Sequence, residues 1–402
     1  MKKSQNLLVR NHEFRLVWIG QVLSQGASKA YLINLLWWII AQAEITGQSP
    51  EVASGALLIL TALPPILLVK VIGNTLARFP SKSVLITGEV CGGLLIAGVF
   101  FLLKADSLTL PTVYALSSLV AICQGVVDPA LTKSVDELVN PEDVEGAVAF
   151  EASTQSLAFF MGTAAGATLT GLFGLKAAVL LNVASYAVSA LVTARAHFRA
   201  TELAAEKAPE SPQPPVLGAL EGVQRLLYAF AAANFLLFPL FLVLPIFTKN
   251  TLHSSVVVLG AMEACFWLGL VSGAAASKSF TDQASLPQLV GKLLAVFGVS
   301  LLTLAVFPNA WWTGCVLFIG GSTAGIVNVK VISCFQRAVP APLKGHFFAR
   351  LQAYVTAAQP IGYLVFTFAL VKLQPPFVFG IEGLGLIAVG LATFLNPVPA
   401  AR

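Results

Sequence analysis

Gln21, Gln25 and Lys29 recur at steps of four, with Ser24 and Ser28 beside them, in a stretch that is otherwise apolar. On a helix all five share one face. A charged side chain at a bilayer centre costs roughly 2.5–3.5 kcal/mol on insertion scales, so a Lys in such a stretch faces water or a partner. A ladder of amides and hydroxyls ending in an ammonium is equipped to hold an anionic group, which makes Gln21, Gln25, Ser28 and Lys29 candidate substrate-binding residues. Asn234, Asn328 and Lys330 join them, as does a second ladder, Gln352, Thr356, Gln359 and Tyr363, at steps of four, three and four. Glu263, Glu89 and Glu151 lie in or near apolar stretches, where the neutral form of a carboxyl is favoured. That suits a proton carrier, and the three are candidate coupling residues. A structural reading stands beside each: Lys29 and Glu263 could neutralise one another, and Glu89 and Glu151 could pair with Lys or Arg at the membrane interface.

Other chemistries find little support. No Gly-x4-Gly-Lys-Ser/Thr stretch exists to cradle a nucleotide. Gly383-Leu-Gly385 resembles a dinucleotide fingerprint but lies inside an apolar run with no strand before it, so it reads as a packing feature. The five cysteines have no metal-ligand spacing, the four histidines are scattered, and no nucleophile–base arrangement stands out. No cofactor, metal or nucleic-acid partner is expected, and the chain does not read as an enzyme.

The elements that must position these residues are membrane helices. Hydrophobic residues make up 57% of the 402, and charged residues 11%, less than half the usual share of a soluble domain. The sequence predicts an all-α integral membrane protein with twelve spans, their cores near 15–41, 52–73, 82–103, 111–132, 145–172, 174–195, 226–247, 254–277, 287–306, 311–334, 346–371 and 377–395. With the N-terminus cytoplasmic, seventeen Lys and Arg fall on the inner set of loops and four, Lys104, Lys176, Lys249 and Lys372, on the outer. That bias predicts both termini on the cytoplasmic side of the cell membrane, the inner membrane in a Gram-negative cell.

The chain also repeats. Gly125, Val139 and Gly162 recur as Gly325, Val339 and Gly362, a constant offset of 200. An offset of half the chain predicts two similar halves, 1–195 and 226–402, joined by a polar cytoplasmic linker at 196–225. Gly162-x3-Gly166 and Gly269-x3-Gly273 invite close helix approach, either as plain packing or as hinge surfaces. Pro64-Pro65, Pro239, Pro245 and Pro360 are expected to bend their helices.

The opening Phe14-Arg-Leu-Val-Trp-Ile-Gly20-Gln-Val-Leu-Ser-Gln25 resembles that of the macrolide-efflux and siderophore-exporter branch of the major facilitator superfamily. The likeness continues through residues 73–82, Pro-Glu-Asp at 141–143, Leu259-Gly-Ala-Met-Glu263 and Gln359-Pro-Ile-Gly362. The resemblance implies two pseudo-symmetric six-helix bundles, rocking around a central cavity to expose it alternately to each side. It also implies a cytoplasmic gate at the loop between the second and third helices. There the usual acid is replaced by Ala77, leaving Arg78 or Lys82 to pair with Asp128 as a residual latch. The function expected is secondary active export of a small amphipathic or anionic molecule, with protons as the second partner and a monomer in the bilayer. A lysophospholipid flippase is the alternative within transport, and a non-transporting receptor or scaffold the alternative outside it.

Overall fold

The computed structural model describes residues 7–140, 143–199, 221–280 and 286–395, and its regular elements are all helical. A single turn, α1 (Leu7–Arg10), precedes α2 (His12–Thr46), α3 (Pro50–Leu67), α4 (Val69–Arg78), α5 (Ser81–Lys104), α6 (Leu110–Leu138), α7 (Val144–Phe173) and α8 (Leu175–Arg195). After the linker come α9 (Glu221–Leu237), α10 (Leu240–Ile246), α11 (Val256–Ala276), α12 (Leu286–Val306), α13 (Ala310–Ala338), α14 (Ala341–Lys372) and α15 (Pro375–Leu395).

Local chemistry sets many of the ends. The Asn309 side chain accepts from the amides of Trp311 (2.9 Å) and Trp312 (3.3 Å) and so caps α13. Gly174 turns the chain into α8 with φ of 75°, a conformation that favours a residue without Cβ. Pro80 and Pro340 stand immediately before α5 and α14, where the missing proline N–H costs no helical hydrogen bond.

Eleven helical spans among the described residues are long and apolar enough to cross a membrane. The helix absent from that set is α2, 35 residues long but carrying the Gln, Ser and Lys ladder that lowers its hydropathy. With α2 the twelve-helix architecture is complete, and the protein is a multi-pass membrane protein. Helices four, ten and eleven run several residues past the expected cores, because helical pairing of the backbone continues into the interface beyond the hydrocarbon.

Two spans are interrupted at or near the prolines expected to bend them. The second is divided at Leu68 into α3 and α4, just after Pro64-Pro65. Residues 73–78, expected as loop, are therefore helical, and only Phe79 and Pro80 separate α4 from α5. The seventh is divided at Phe238 and Pro239 into α9 and α10, and it ends in a π-helical turn, Phe247–Thr251. Proline lacks the N–H that would bond four residues back, so each break follows from composition.

The chain forms two compact units: residues 1–42 with 60–207, and residues 43–59 with 208–402. Residues 43–59 join the second unit although they precede the midpoint. Within that unit Lys249 Nζ lies 2.8 Å from Glu44 Oε2, and the Gly55 backbone abuts the Thr367 side chain. Of the linker, residues 196–199 are fixed to the first unit: the Arg199 amide donates to the Glu137 carbonyl (2.9 Å) and the His197 amide to Glu13 Oε2 (2.7 Å). Of the rest of the expected linker, 200–220 lie outside the described residues, and 221–225, expected as linker, are already the first residues of α9.

The 200-residue offset is carried by the helices themselves. α6 spans 110–138 and α13 spans 310–338; α8 spans 175–195 and α15 spans 375–395. α5 packs on α8 in the first unit, as α12 packs on α15 in the second. The matched glycines also do matched work: Gly162 lies against the carbonyl of Gly26 on the first helix of its unit, Gly362 against that of Phe235 on α9. The two small-residue pairs pack within their own units. Gly162 and Gly166 receive Gly26 and Ala30 of α2, and Gly269 and Gly273 receive Phe318 and Ser322 of α13. These contacts are the plain-packing reading of the motifs.

Candidate functional site

In the first unit, the polar face of α2 meets a buried acid. Glu89, on α5, has 0% of its surface exposed. Gln21 Nε2 donates to Glu89 Oε1 (2.9 Å), and Ser24 Oγ to Glu89 Oε2 (3.0 Å). Gln21 Nε2 also approaches Ser189 Oγ of α8 (3.2 Å). A turn farther along α2, Ser28 Oγ lies 3.1 Å from Asn182 Oδ1 and 3.3 Å from the Tyr186 hydroxyl, which also receives Gln124 Nε2 at 2.7 Å. Gly92 and Gly93 of α5 admit the Tyr186 ring; a Cβ on Gly92 would sit 3.0 Å from it. Asn182, Tyr186 and Ser189 follow one another at steps of four and three on α8, so one helical face supplies all three.

The ladder of α2 is therefore divided. Gln21 and Ser24, each 1% exposed, are consumed in holding Glu89, rather than lining an opening as their spacing suggests. Gln25 and Lys29 are half-buried. Gln25 Oε1 is sealed from solvent with no hydrogen-bond partner among the described residues. The Lys29 ammonium stands 5.5 Å from the centroid of the Phe159 ring, within cation–π range. Glu151 belongs to α7, but its side chain lies outside the described residues.

The gate residues are apportioned differently from the expectation. Lys82 Nζ donates to the Ala196 carbonyl (2.8 Å) and lies over the Phe198 ring, so it fastens the end of α8. Arg78 and Asp128 are exposed. The α4–α5 turn is tied to α6 by two other contacts: Lys133 Nζ to the Leu76 carbonyl (2.7 Å), and Ser81 Oγ to Glu137 Oε1 (2.6 Å), with Glu137 7% exposed. Sequence reasoning passed over Glu137 and Lys133 because both lie beyond the expected end of the fourth span.

In the second unit, Glu263 is 1% exposed on α11. Asn234 and Asn328 meet, together with Thr323, Phe297 and Leu386, around a cavity of about 30 Å³. That volume suits a single water; drug-sized ligands occupy roughly 300–1,000 Å³. The ladder of α14 runs along its own helix: Gln352 Nε2 donates to Thr356 Oγ1 (3.1 Å), and Gln359 Nε2 to the Tyr363 hydroxyl (3.3 Å). Gln352 is exposed, and Gln359 and Lys330 are half-buried. A further acid, Glu382 on α15, is 0% exposed, and sequence reasoning missed it. The offset of 200 could have found it, since it places Glu382 at the position of Asn182. Among the described residues, no cluster of three His, Cys, Asp or Glu is arranged to hold a metal.

The sequence profile described as Major Facilitator Superfamily matches residues 17–366. No curated protein matches the sequence significantly. Among solved structures, a bacterial homologue of the iron transporter ferroportin, in an inward-facing state, is similar with 13% identity and a TM-score of 0.71, over 97% of this chain and 98% of that one. A mutant of the nucleoside transporter NupG is similar with 12% identity and a TM-score of 0.70, over 95% and 99% of the two chains. The human organic anion transporter MFSD10 has 17% identity and a TM-score of 0.65, over 97% of this chain and 100% of that one. At these identities the likeness is one of fold.

Proposed function

From a chain that belongs to the major facilitator superfamily, we propose a secondary active transporter that exports a small amphipathic or anionic molecule across the cell membrane by alternating access, coupled to protons. Export and the macrolide/siderophore-exporter branch follow from the resemblance of residues 14–25 and the later motifs. The six-helix halves, 1–195 and 226–402, are the moving parts. Both termini are cytoplasmic, and the working unit is a monomer.

One observation carries the substrate class. Along α2, the polar residues nearer the N-terminus are spent on Glu89, whereas Gln25 and Lys29, farther along the same face, are half-buried and offer an amide N–H and an ammonium as donors to an anionic group. Gln25 and Lys29 hold the anionic group, and Gln21 and Ser28 position their helix. Glu263, Glu89 and Glu151 are the acids that carry the coupling protons. Substrate binding then shifts the inward–outward equilibrium by its differential affinity for the two states.

Flux of a panel of organic anions and amphipaths, measured in proteoliposomes with and without a pH gradient, tests this reading. We expect gradient-dependent flux that Lys29→Met lowers at least tenfold. Binding without flux for every molecule that binds would make the protein a receptor. A lysophospholipid substrate has one observation in its favour, an apolar furrow of about 560 Å³ on α11 and α13 lined by Met262, Cys265, Trp311 and Phe318. Scrambling of a labelled lysolipid in the same vesicles distinguishes it.

A further inference from the structure

Glu382 lies seven residues into α15, about 10 Å from its start at 1.5 Å per residue. None of its surface is exposed, and neither carboxyl oxygen has a hydrogen-bond partner among the described residues. Its surroundings are apolar helix. α12 approaches so closely that Gly383 and Gly298 face one another backbone to backbone. The seventh span packs antiparallel on the other side: Gly385 meets the Leu236 side chain, and the Phe379 ring lies 5.1 Å from that of Phe247. Glu382 stands between those two contacts and so at the level of α10, the segment bounded by the Pro239 break and the π-helical turn.

The charged groups of the packed elements lie elsewhere along them. On α12 there is only Lys292, whose ammonium lies over the Phe394 ring, twelve residues from Glu382 along α15. α9 carries Glu221, Arg225 and Tyr228 in its first turns, and α10 carries no charge. Lys249 in the π-helical turn is paired with Glu44. On α14, Lys344, His346 and Arg350 lie toward the N-terminal end, with Arg350 bonded to Tyr354 and Tyr228, and Lys372 stands at the last residue. Tyr363 of that helix receives Gln359. A carboxylate left without hydrogen bonds in such a place is costly, whereas a neutral acid costs far less.

We propose that Glu382 is a proton-binding site of the second unit. Its carboxyl holds a proton while α10 is packed on α15. It releases that proton to water when α10 moves aside at the Pro239 break and the π-helical turn. The O–H bond breaks, the proton leaves as hydronium, and the carboxylate left behind is stabilised by the water that entered. Asn182, at the matching position of the first unit, cannot do this. There an amide oxygen takes the Ser28 hydroxyl instead. The proposal deepens the proton-coupled reading and rests on it only for the use to which the proton is put.

Infrared difference spectra of the full-length protein in lipid nanodiscs, recorded as pH is raised, test it without any substrate. At neutral pH the wild type should show the carbonyl stretch of a protonated carboxylic acid. That band should be absent from E382Q and E382N, kept in E89Q, and lost reversibly from the wild type in the alkaline range. An unchanged spectrum in E382Q overturns the proposal, as does a Glu382 band that never yields to pH. Loss of the band on adding sodium at constant pH would make the occupant a metal cation and equally overturn it. Thermal unfolding of Glu382→Met gives a second reading, expected to match or exceed the wild type. A drop of several degrees there would mean that a polar partner holds the carboxyl. If the band behaves as expected and no gradient-driven flux is found, the transport reading fails and the proton site stands.

Discussion

Gln21 and Glu89 illustrate what spacing can tell and what it cannot. The steps of four along α2 assign Gln21, Gln25 and Lys29 to one face, but they are silent on what that face meets. The answer lies 68 residues away, on α5, in an acid that reads by itself as an interfacial carboxylate. Removing one donor from a buried acceptor typically costs about 1–3 kcal/mol. Gln21→Ala should therefore lower thermal stability by that order, and Glu89→Gln by less, since its amide can still accept from Ser24. In a double-mutant cycle the two should couple by about 0.5–3 kcal/mol, as contacting residues do. Additive effects would mean that the bond contributes nothing. Glu13, outside the spans, gives the pH-dependent counterpart. The backbone N–H of His197, bonded to it at 2.7 Å, is the main cause that holds its carboxyl below the usual range. A depressed folded pKa contributes stability that is full above the unfolded carboxylate value and is lost as pH falls through the folded one. Deuterium exchange at the His197 amide should accordingly rise, relative to neighbouring amides, as the solution becomes acidic. In Glu13→Gln that acid-dependent rise should disappear, leaving a small effect overall because the group is a third exposed.

At the scale of elements, the prolines were legible and the consequences were not. Pro239 and Pro245 announce a bend in the seventh span. That the bend isolates a seven-residue α10 opposite Glu382 follows only from the packing of α15. Likewise the glycine pairs announce close approach, while their partners, α2 and α13, had to be seen. Gly162 faces a backbone carbonyl that cannot rotate away. Gly162→Val should therefore exceed the usual overpacking cost of about 1–3 kcal/mol, and Gly73→Val, in open space, should cost far less by the same thermal assay. Comparable losses at both positions would refute the packing argument. The Lys249–Glu44 pair behaves otherwise, being partly exposed. Lys249→Gln should change stability by only about 0.2–1 kcal/mol, less still in high salt.

At the scale of the molecule, charge and repetition together argue for one threading of the chain through the bilayer. The offset of 200 maps α6 on α13 and α8 on α15 residue for residue, so a frame that orients one half orients the other. A miscount of one span in either half would reverse the second half and scatter its Lys and Arg across both faces. Instead the basic residues fall seventeen to four on alternate sets of loops and flanking helix ends. That bias was legible from sequence because translocation responds to Lys and Arg near span ends, whatever the tertiary packing. The units were less so: residues 43–59 group with the second half through Glu44 and Gly55, contacts that no periodicity encodes. The orientation makes a prediction of its own, since the five native cysteines are unpaired and can be replaced first. In intact cells, a membrane-impermeant maleimide should label Lys104→Cys and Lys372→Cys and leave Arg78→Cys and Arg337→Cys unlabelled until the cells are opened. Lys104 and Arg337 lie in different halves, so the four positions test each half separately. Labelling of Arg337→Cys from outside, with Arg78→Cys protected, would mean an odd number of crossings between them, and with it the loss of the twelve-span frame on which the matched halves depend.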